Sequence, residues 1–215
     1  MNTHTSKIRF GSHFWYKFSL SLLIASNLAS AFAQTAPVRA DPPTVKVGDR
    51  WNYETRDRRT GVKESELVRT VTAVTASRIE GTENDGKFIA TAELNFLETS
   101  TVVLSGDVRY LTFPLEVGKK WDFKYNLANK LTGTTARWQL DASVVAYEKV
   151  KVPAGEFDTF KIEYKGFWNN DATHRNGRLV ITNWYAPAAR SVVKREYDDT
   201  FNRNVSELVE FQLQP

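Results

Sequence analysis

The chain has 215 residues, of which 41% are hydrophobic and 25% are charged, a composition typical of a globular protein. Its formal net charge is +4, but residues 1–33 contain three basic residues and no acidic one, so the rest of the chain has 26 basic and 25 acidic residues. This balance does not favour binding to nucleic acid or to an anionic lipid surface, because both require a surplus of Lys and Arg. The sequence contains no Cys, so the core must be stable without disulfides.

The first 33 residues are typical of a secretory signal peptide. Basic residues flank an apolar run, Phe18–Ala29, which is too short to span a bilayer. Ala31 and Ala33 then supply the small side chains of a cleavage site, which predicts cleavage before Gln34. No Cys follows for lipid attachment, so we expect a soluble periplasmic or secreted protein with no stable membrane insertion after cleavage. The alternative is an N-terminal anchor that is never cleaved.

Residues 34–44 contain three prolines and little apolar content, which predicts an extended lead-in. Residues 45–215 are predicted to be a single β-rich domain, because Val, Thr and aromatic residues alternate with polar ones and turn residues recur about every ten positions. The predicted strands are Arg50–Arg56, Glu64–Thr75, Arg78–Glu83, Lys87–Phe96, Thr101–Leu104, Lys120–Asn126, Thr134–Ala146, Phe157–Phe167, Arg178–Tyr185, Val192–Tyr197 and Ser206–Leu213.

An internal repeat suggests how these strands are organised. Residues 46–54 (KVGDRWNYE) align with residues 116–124 (EVGKKWDFK), so that Trp51 matches Trp121. The pattern predicts two repeat-like halves, about 45–112 and 113–215, which pack around one core. The alternative is that the match is a coincidence in a Trp-rich chain. The predicted fold is all-β: an antiparallel curved sheet, either a half barrel or a sandwich, built from two tandem halves.

Three stretches, found in this order along the chain, resemble a known group of proteins. They are Pro114–Trp121, Val150–Ile162, and Trp184–Pro187 followed by Val192–Glu196. On these residues the chain resembles a family of uncharacterised exported bacterial proteins of the domain-of-unknown-function type. The resemblance implies a periplasmic or secreted β-rich domain whose curved sheet is weakly similar to the lipoprotein-carrier (LolA-like) half barrel. It carries over no catalytic residue.

Few residues are candidates for catalysis or metal binding. His174 is the only His after residue 33, and it lies in a polar loop, where an exposed role is expected. We therefore predict no catalytic residue, no metal site and no cofactor. Paired carboxylates are the remaining acid-base route, but their spacing selects no pair. The candidate carboxylates are Glu156, Asp158, Glu163, Asp198, Asp199, Glu207 and Glu210.

Aromatic residues are the best candidates for ligand contact. Phe167 and Trp168 are adjacent, as are Trp184 and Tyr185, so one ring of each pair must face away from its neighbour. Trp168, Trp184 and Tyr185 are the predicted ligand-binding residues. The sequence favours an exported, non-enzymatic binding or structural protein whose partner is a small amphipathic ligand or an envelope protein. The alternative function is a carbohydrate-active hydrolase with a carboxylate pair, which would place two acids in a polar groove.

Overall fold

Strands with alternating inward and outward side chains build a sheet that closes on itself. The computed structural model describes residues 38–215, and the predicted signal peptide with its cleavage site lies outside these residues. Within the described chain, twelve antiparallel strands form a closed barrel, and two short strands form a separate pair. None of the helices in residues 38–215 has the length and apolar character needed to cross a bilayer.

The barrel strands are β2 (Arg50–Asp57), β3 (Lys63–Val74), β4 (Arg78–Glu83), β5 (Gly86–Thr91), β6 (Phe96–Glu98), β7 (Val102–Gly106), β9 (Lys120–Asn129), β10 (Thr135–Val152), β11 (Gly155–Asn170), β12 (Arg175–Ala186), β13 (Ser191–Asp198) and β14 (Arg203–Gln212). The separate pair is β1 (Arg39–Ala40) and β8 (Leu115–Glu116). A short 3-10 helix, Pro187–Ala189, connects β12 to β13. Every predicted strand overlaps an observed one.

The prediction of a half barrel or sandwich is wrong, because the sheet has no free edge. β14 pairs with β2, so that Leu208 lies opposite Tyr53, and β7 pairs with β9 beyond the intervening β8. Both pairings join strands that are not simple hairpin partners, and a local sequence pattern contains no information about them. Closure satisfies the backbone N–H and C=O groups that an open sheet would leave unpaired. The prediction of an all-β antiparallel fold is confirmed.

The two ends of the barrel differ. At one end, which we call the hairpin end, short loops connect strands in pairs. These loops are residues 58–62, 84–85, 99–101, 130–134, 171–174 and 199–202. From the opposite end, residues 107–115 enter the barrel, and we call them the interior segment. Leu111 and Leu115 of this segment are 3% and 0% exposed, so the segment forms part of the core.

The core consists of inward-facing side chains from neighbouring strands. Ala142, Tyr164 and Ile181 face one another across β10, β11 and β12, and Tyr164 and Ile181 are fully buried. A two-residue turn at residues 153–154 connects β10 to β11, and the returning strand buries Phe160 and Ile162 completely. Pro153 fixes the backbone at the second position of this turn, and Gly155, with a φ of 137°, ends it.

The two Val-Gly turns of the internal repeat have the same backbone geometry. Gly48 and Gly118 have φ values of 91° and 93°, a left-handed conformation that glycine adopts without steric cost. Each glycine N–H donates to a carbonyl of a neighbouring strand: that of Gly48 to Val71 at 2.9 Å, and that of Gly118 to Val144 at 2.8 Å. The repeat is therefore structural at the level of these turns, while the division into halves stays a prediction.

The tryptophans that follow these turns also have similar surroundings. The indole N–H of Trp51 donates to the carbonyl of Ala189 at 2.8 Å, and that of Trp121 donates to the carbonyl of Arg109 at 2.7 Å. Each tryptophan thus joins the start of a barrel strand to a connecting segment at the same end of the barrel. This contact accounts for both tryptophans as parts of the scaffold.

Candidate functional site

A cavity of about 320 Å³ lies inside the barrel. The interior segment forms part of its wall through Tyr110 and Leu111, and inward-facing side chains of the strands form the rest. Its volume is within the range that small-molecule sites occupy in proteins. Much of the wall is apolar. The apolar lining residues include Leu67, Phe96, Val102, Leu104, Leu127 and Val192.

Hydrogen bonds hold the interior segment in place. The side chain of Asn95, which is 2% exposed, donates to the carbonyl of Leu111 at 2.9 Å and accepts the N–H of Leu111 at 2.7 Å. The hydroxyl of Tyr164 donates to the carbonyl of Tyr110. These bonds give partners to backbone groups that would otherwise be buried without them. They also hold the part of the cavity wall that the interior segment forms in one position.

Buried tyrosines surround the segment. The ring of Tyr110 lies against Phe123 and Tyr164, with centroids 5.2 and 5.4 Å away, and its hydroxyl is 2.5 Å from that of Tyr125. Burial raises the pKa of Tyr110 above its ordinary value, and it raises the pKa of Tyr125 well above that value. These hydroxyls therefore stay neutral at physiological pH and serve as hydrogen-bonding groups.

Arg195 brings a positive charge into the cavity. On β13 it lies between Val193 and Tyr197 in the inward-facing row, and it lines the cavity. Its guanidinium carbon is 5.5 Å from the ring centroid of Tyr110 and 5.7 Å from that of Tyr197. Among residues 38–215, no carboxylate lies within 4.0 Å of Arg195 to form an ion pair with it, although two aromatic rings stabilise its charge.

The second arginine of the cavity is neutralised. Arg69 forms an ion pair with Glu83 at 2.7 Å, and its guanidinium carbon lies 4.0 Å from the ring centroid of Phe96. The side chain of Glu83 is only 5% exposed, and it also accepts a hydrogen bond from the hydroxyl of Ser100 at 2.8 Å. None of the described residues that line the cavity is Asp or Glu. The cavity wall therefore contains two positively charged side chains. Glu83 neutralises Arg69, whereas Arg195 has no carboxylate partner among the described residues.

Asn183 lies beside Arg195. The two residues are direct partners in the pairing of β12 with β13, and both line the cavity. Asn183 is 4% exposed, and its amide nitrogen donates to the hydroxyl of Tyr164 at 3.5 Å. Its Oδ1 atom has no hydrogen-bond partner in the part of the chain that the structure describes. A buried acceptor without a partner is costly, so this position favours a donor from outside the protein.

Trp138, on β10, is an aromatic residue of the cavity wall. Its ring lies between those of Tyr125 and Tyr197, with centroids 5.7 and 6.4 Å away. Within the described chain, its indole N–H has no acceptor. The aromatic wall and the charged group thus occur together in one cavity, the arrangement expected of a site for an amphipathic molecule.

The structure places two of the predicted ligand-binding residues, Trp184 and Tyr185, on opposite sides of the barrel wall. Trp184 is on the outer face but 7% exposed, because its indole N–H donates to Glu148 at 2.8 Å and two lysine side chains lie near its ring. Tyr185 is 1% exposed and packs against Phe113 in the core, with ring centroids 5.4 Å apart. Burial raises the pKa of Tyr185.

Trp168, the third predicted residue, lies near the hairpin end. Its indole N–H donates to the carbonyl of Asp199 at 3.2 Å, and its ring contacts that of Phe201 with centroids 6.0 Å apart. The neighbouring Phe167 faces outward and is 69% exposed, as expected for adjacent rings on one strand. The structure does not bring the three predicted residues together, and their role in ligand binding stays a prediction.

Other candidate residues do not line the cavity. Glu156 and Asp158 are on the β10–β11 hairpin, exposed, and within 3.6 and 3.2 Å of the Lys149 ammonium. His174 is exposed in the loop between β11 and β12. Across residues 38–215, no group of three His, Cys, Asp or Glu side chains has the arrangement of a metal site.

Sequence reasoning missed Arg195, Asn183 and Trp138. One signal was present: in the predicted strand Val192–Tyr197, the alternation places Arg195 on the same face as Val193 and Tyr197. A charged residue in an otherwise apolar row is a candidate for a buried functional group. Asn183 has the same kind of position on the neighbouring strand, where it follows Leu179 and Ile181 at alternate positions.

Comparison with known proteins identifies similar folds. No family model matches the chain, and no curated protein matches it. A presumed exported protein with a YmcC-like fold from Bacteroides fragilis has a TM-score of 0.57 at 18% identity, covering 81% of this chain and 100% of that one. A presumed lipoprotein from Parabacteroides distasonis has a TM-score of 0.55 at 16% identity, covering 80% of this chain and 97% of that one. The chain thus shares the fold of these proteins. The weak LolA-like similarity is not confirmed.

Proposed function

We propose that the protein is an exported, non-enzymatic binding protein of the bacterial envelope that holds a small amphipathic molecule inside its barrel. The observation that carries this proposal is the interior cavity of about 320 Å³, which combines an apolar wall with a few polar groups. Such a combination is typical of small-molecule sites, where apolar surface supplies affinity and polar groups fix orientation.

The proposed location rests on the N-terminal sequence and on the similar folds. Residues 1–33 have the features of a signal peptide. The similar solved structures are those of a presumed exported protein and a presumed lipoprotein. The hydrolase alternative gains no support from the cavity, because no carboxylate is among the residues within 38–215 that line it.

The proposal can be tested with a neutral apolar probe and two matched variants. N-phenyl-1-naphthylamine becomes fluorescent in apolar surroundings, so its saturable binding reports an accessible apolar site. Leu104→Trp would fill the cavity, because Leu104 lines it. Val103→Trp is the control, because Val103 precedes it on the same strand and is 38% exposed.

We expect saturable binding of one probe by the wild-type protein, loss of binding in the Leu104→Trp variant, and no loss in the Val103→Trp variant. Circular dichroism should show that both variants are folded. Unchanged binding by a folded Leu104→Trp variant would place the probe outside the cavity and contradict the proposal. An absence of saturable binding by the wild-type protein would contradict it as well.

A further inference from the structure

We infer that the ligand is an amphiphile with an anionic oxygen headgroup, such as a carboxylate or phosphate, and that Arg195 binds this headgroup. This inference rests on the proposed function and specifies the ligand class. It begins from the position of Arg195, which faces the cavity and has no carboxylate within ion-pair distance among the described residues. A guanidinium presents several N–H donors in one plane, which matches the oxygens of a carboxylate or phosphate.

The charge around the cavity favours an anion. Arg69 and Arg195 line the cavity, whereas no Asp or Glu in the described part of the chain does. Glu83, which lies opposite Arg69 on β4 but does not line the cavity, pairs with Arg69 and leaves Arg195 as the group that a ligand can neutralise. A charge that is partly removed from water gains most from a partner of opposite sign, because the surroundings screen it weakly. A cationic headgroup would meet repulsion from the same guanidinium.

A group of apolar side chains lies across the cavity from Arg195. Arg195 and Asn183 are cross-strand neighbours on β13 and β12, and Ser206 follows on β14. β6, which contains Phe96, lies across the barrel from β13, because the two strands are six places apart in the closed order of twelve. The apolar side chains on that side are Phe96 of β6, Val102 and Leu104 of β7, and Leu127 of β9. A ligand with its headgroup at Arg195 would therefore place its apolar body against β6, β7 and β9.

Asn183 refines the headgroup. Its Oδ1 atom is buried and has no partner in the described part of the chain, and it belongs to the residue directly opposite Arg195. A carboxylate has no hydrogen to donate, so a bound water would connect it to this oxygen, whereas a singly protonated phosphate can donate its own hydroxyl. Two neighbouring groups, a donor and an acceptor, would thus contact the same end of the ligand.

The test compares four probes with the same twelve-carbon chain, each below its micelle concentration: dodecanoate, dodecyl phosphate, dodecan-1-ol and dodecyltrimethylammonium. Isothermal titration calorimetry measures their binding to the wild-type protein and to Arg195→Gln and Arg195→Lys variants. Arg178→Gln is the matched control, because Arg178 is exposed on the outside of the neighbouring strand β12.

We expect the wild-type protein to bind at least one of the two anionic probes about tenfold or more tightly than the alcohol, and the cation least tightly. Arg195→Gln should remove this preference and leave the affinity for dodecan-1-ol within about twofold, whereas Arg195→Lys should keep part of it. Arg178→Gln should bind like the wild type. Preference for dodecanoate over dodecyl phosphate, or the reverse, identifies which headgroup the site takes.

Two results would overturn the inference. One is that the wild-type protein binds the alcohol or the cation as tightly as both anions. The other is that a folded Arg195→Gln variant keeps the full preference for an anion. In either case binding of the alcohol, if lost in Leu104→Trp, would still support the proposed function. If no probe binds at all, both the inference and the proposed function fail. Should Arg195→Gln not fold, the comparison of the four probes on the wild-type protein decides.

Discussion

Replacing Asp49 by Ala should destabilise the protein strongly, because this carboxylate joins three parts of the chain. Its side chain is 0% exposed. It accepts the backbone N–H of Lys46 at 3.0 Å and that of Gln214 at 2.7 Å, and it forms an ion pair with Arg190 at 3.0 Å. The turn before β2, the connection between β12 and β13, and the segment after β14 therefore meet at one side chain.

The expected cost follows from what the substitution leaves behind. Removing one partner of a buried ion pair typically costs about 3–5 kcal/mol. Arg190 is 23% exposed, and its guanidinium also donates to the carbonyl of Gln214 at 3.3 Å, so water and this carbonyl compensate part of the loss. We therefore expect Asp49→Ala to lower the free energy of unfolding by about 3 kcal/mol. Asp49→Asn keeps an acceptor oxygen but loses the charge, and we expect about 1.5–2 kcal/mol.

Urea unfolding, followed by tryptophan fluorescence and by far-UV circular dichroism, measures both variants against the wild type. Asp171→Ala is the control, because Asp171 also pairs with an arginine, Arg137, but their side chains are 68% and 65% exposed. This exposed pair should change the free energy of unfolding by less than about 0.5 kcal/mol. Coincident transitions from the two signals would show that unfolding is two-state.

Two results would refute the reasoning. If Asp49→Ala unfolds within about 1 kcal/mol of the wild type with an unchanged urea dependence, the buried carboxylate does not hold the three segments together. If Asp49→Asn is less stable than Asp49→Ala, the expected order of the two variants is wrong. The acceptor oxygen that Asn keeps would then not stabilise the contact.

Three further predictions concern the core. Phe160→Ala should lower the free energy of unfolding, measured in urea, by about 3–5 kcal/mol, because Phe160 is 0% exposed. Glu156 is exposed, so Glu156→Gln should change the free energy of unfolding by less than about 0.5 kcal/mol. Similar effects of the two substitutions would contradict the assigned packing. Gly166→Ala should lower the free energy of unfolding by about 1–3 kcal/mol in the same assay, because a Cβ atom at this position would lie 1.9 Å from the carbonyl oxygen of Gln139. A urea midpoint equal to that of the wild type would show that the two strands can move apart without cost. Alkaline pH should destabilise the protein, because burial raises the pKa of several tyrosines above the ordinary value of 10.0. Above about pH 10 the tyrosines of the unfolded chain lose their protons while the native ones keep them, so the free energy of unfolding is highest below this pH and falls as the pH rises further. A free energy of unfolding that stays constant between about pH 9 and 11.5 would contradict this. These tyrosines include Tyr110, Tyr125, Tyr164, Tyr185 and Tyr197.

The strands and tight turns could be predicted from the sequence because they depend on neighbouring residues. The alternation in residues 78–83 matches β4 (Arg78–Glu83) at both ends. The Val-Gly turns were recognisable because glycine is needed where φ is positive. These features follow from local conformational preference, and tertiary contacts reinforce them.

Barrel closure and the cavity could not be predicted because they depend on contacts between distant segments. Residues 107–114 of the interior segment form neither a strand nor a helix, and their position depends on bonds such as those between Asn95 and Leu111. The charge of Arg195 was visible in the sequence, but its lack of an ion-pair partner is a property of the whole barrel. The predicted aromatic residues were plausible, yet their exposure depends on which side chains cover them, as Trp184 shows.

The pairing of β2 with β14 has a consequence for how the protein is made. These strands lie at opposite ends of the described chain, and Tyr53 of β2 faces Leu208 of β14. β2 precedes β14 along the chain, so β2 has no partner on one side until β14 is also free to fold. The barrel therefore closes only after synthesis of the last strand, and this long-range step should limit the folding rate, because closing a long loop costs entropy before the new contacts form.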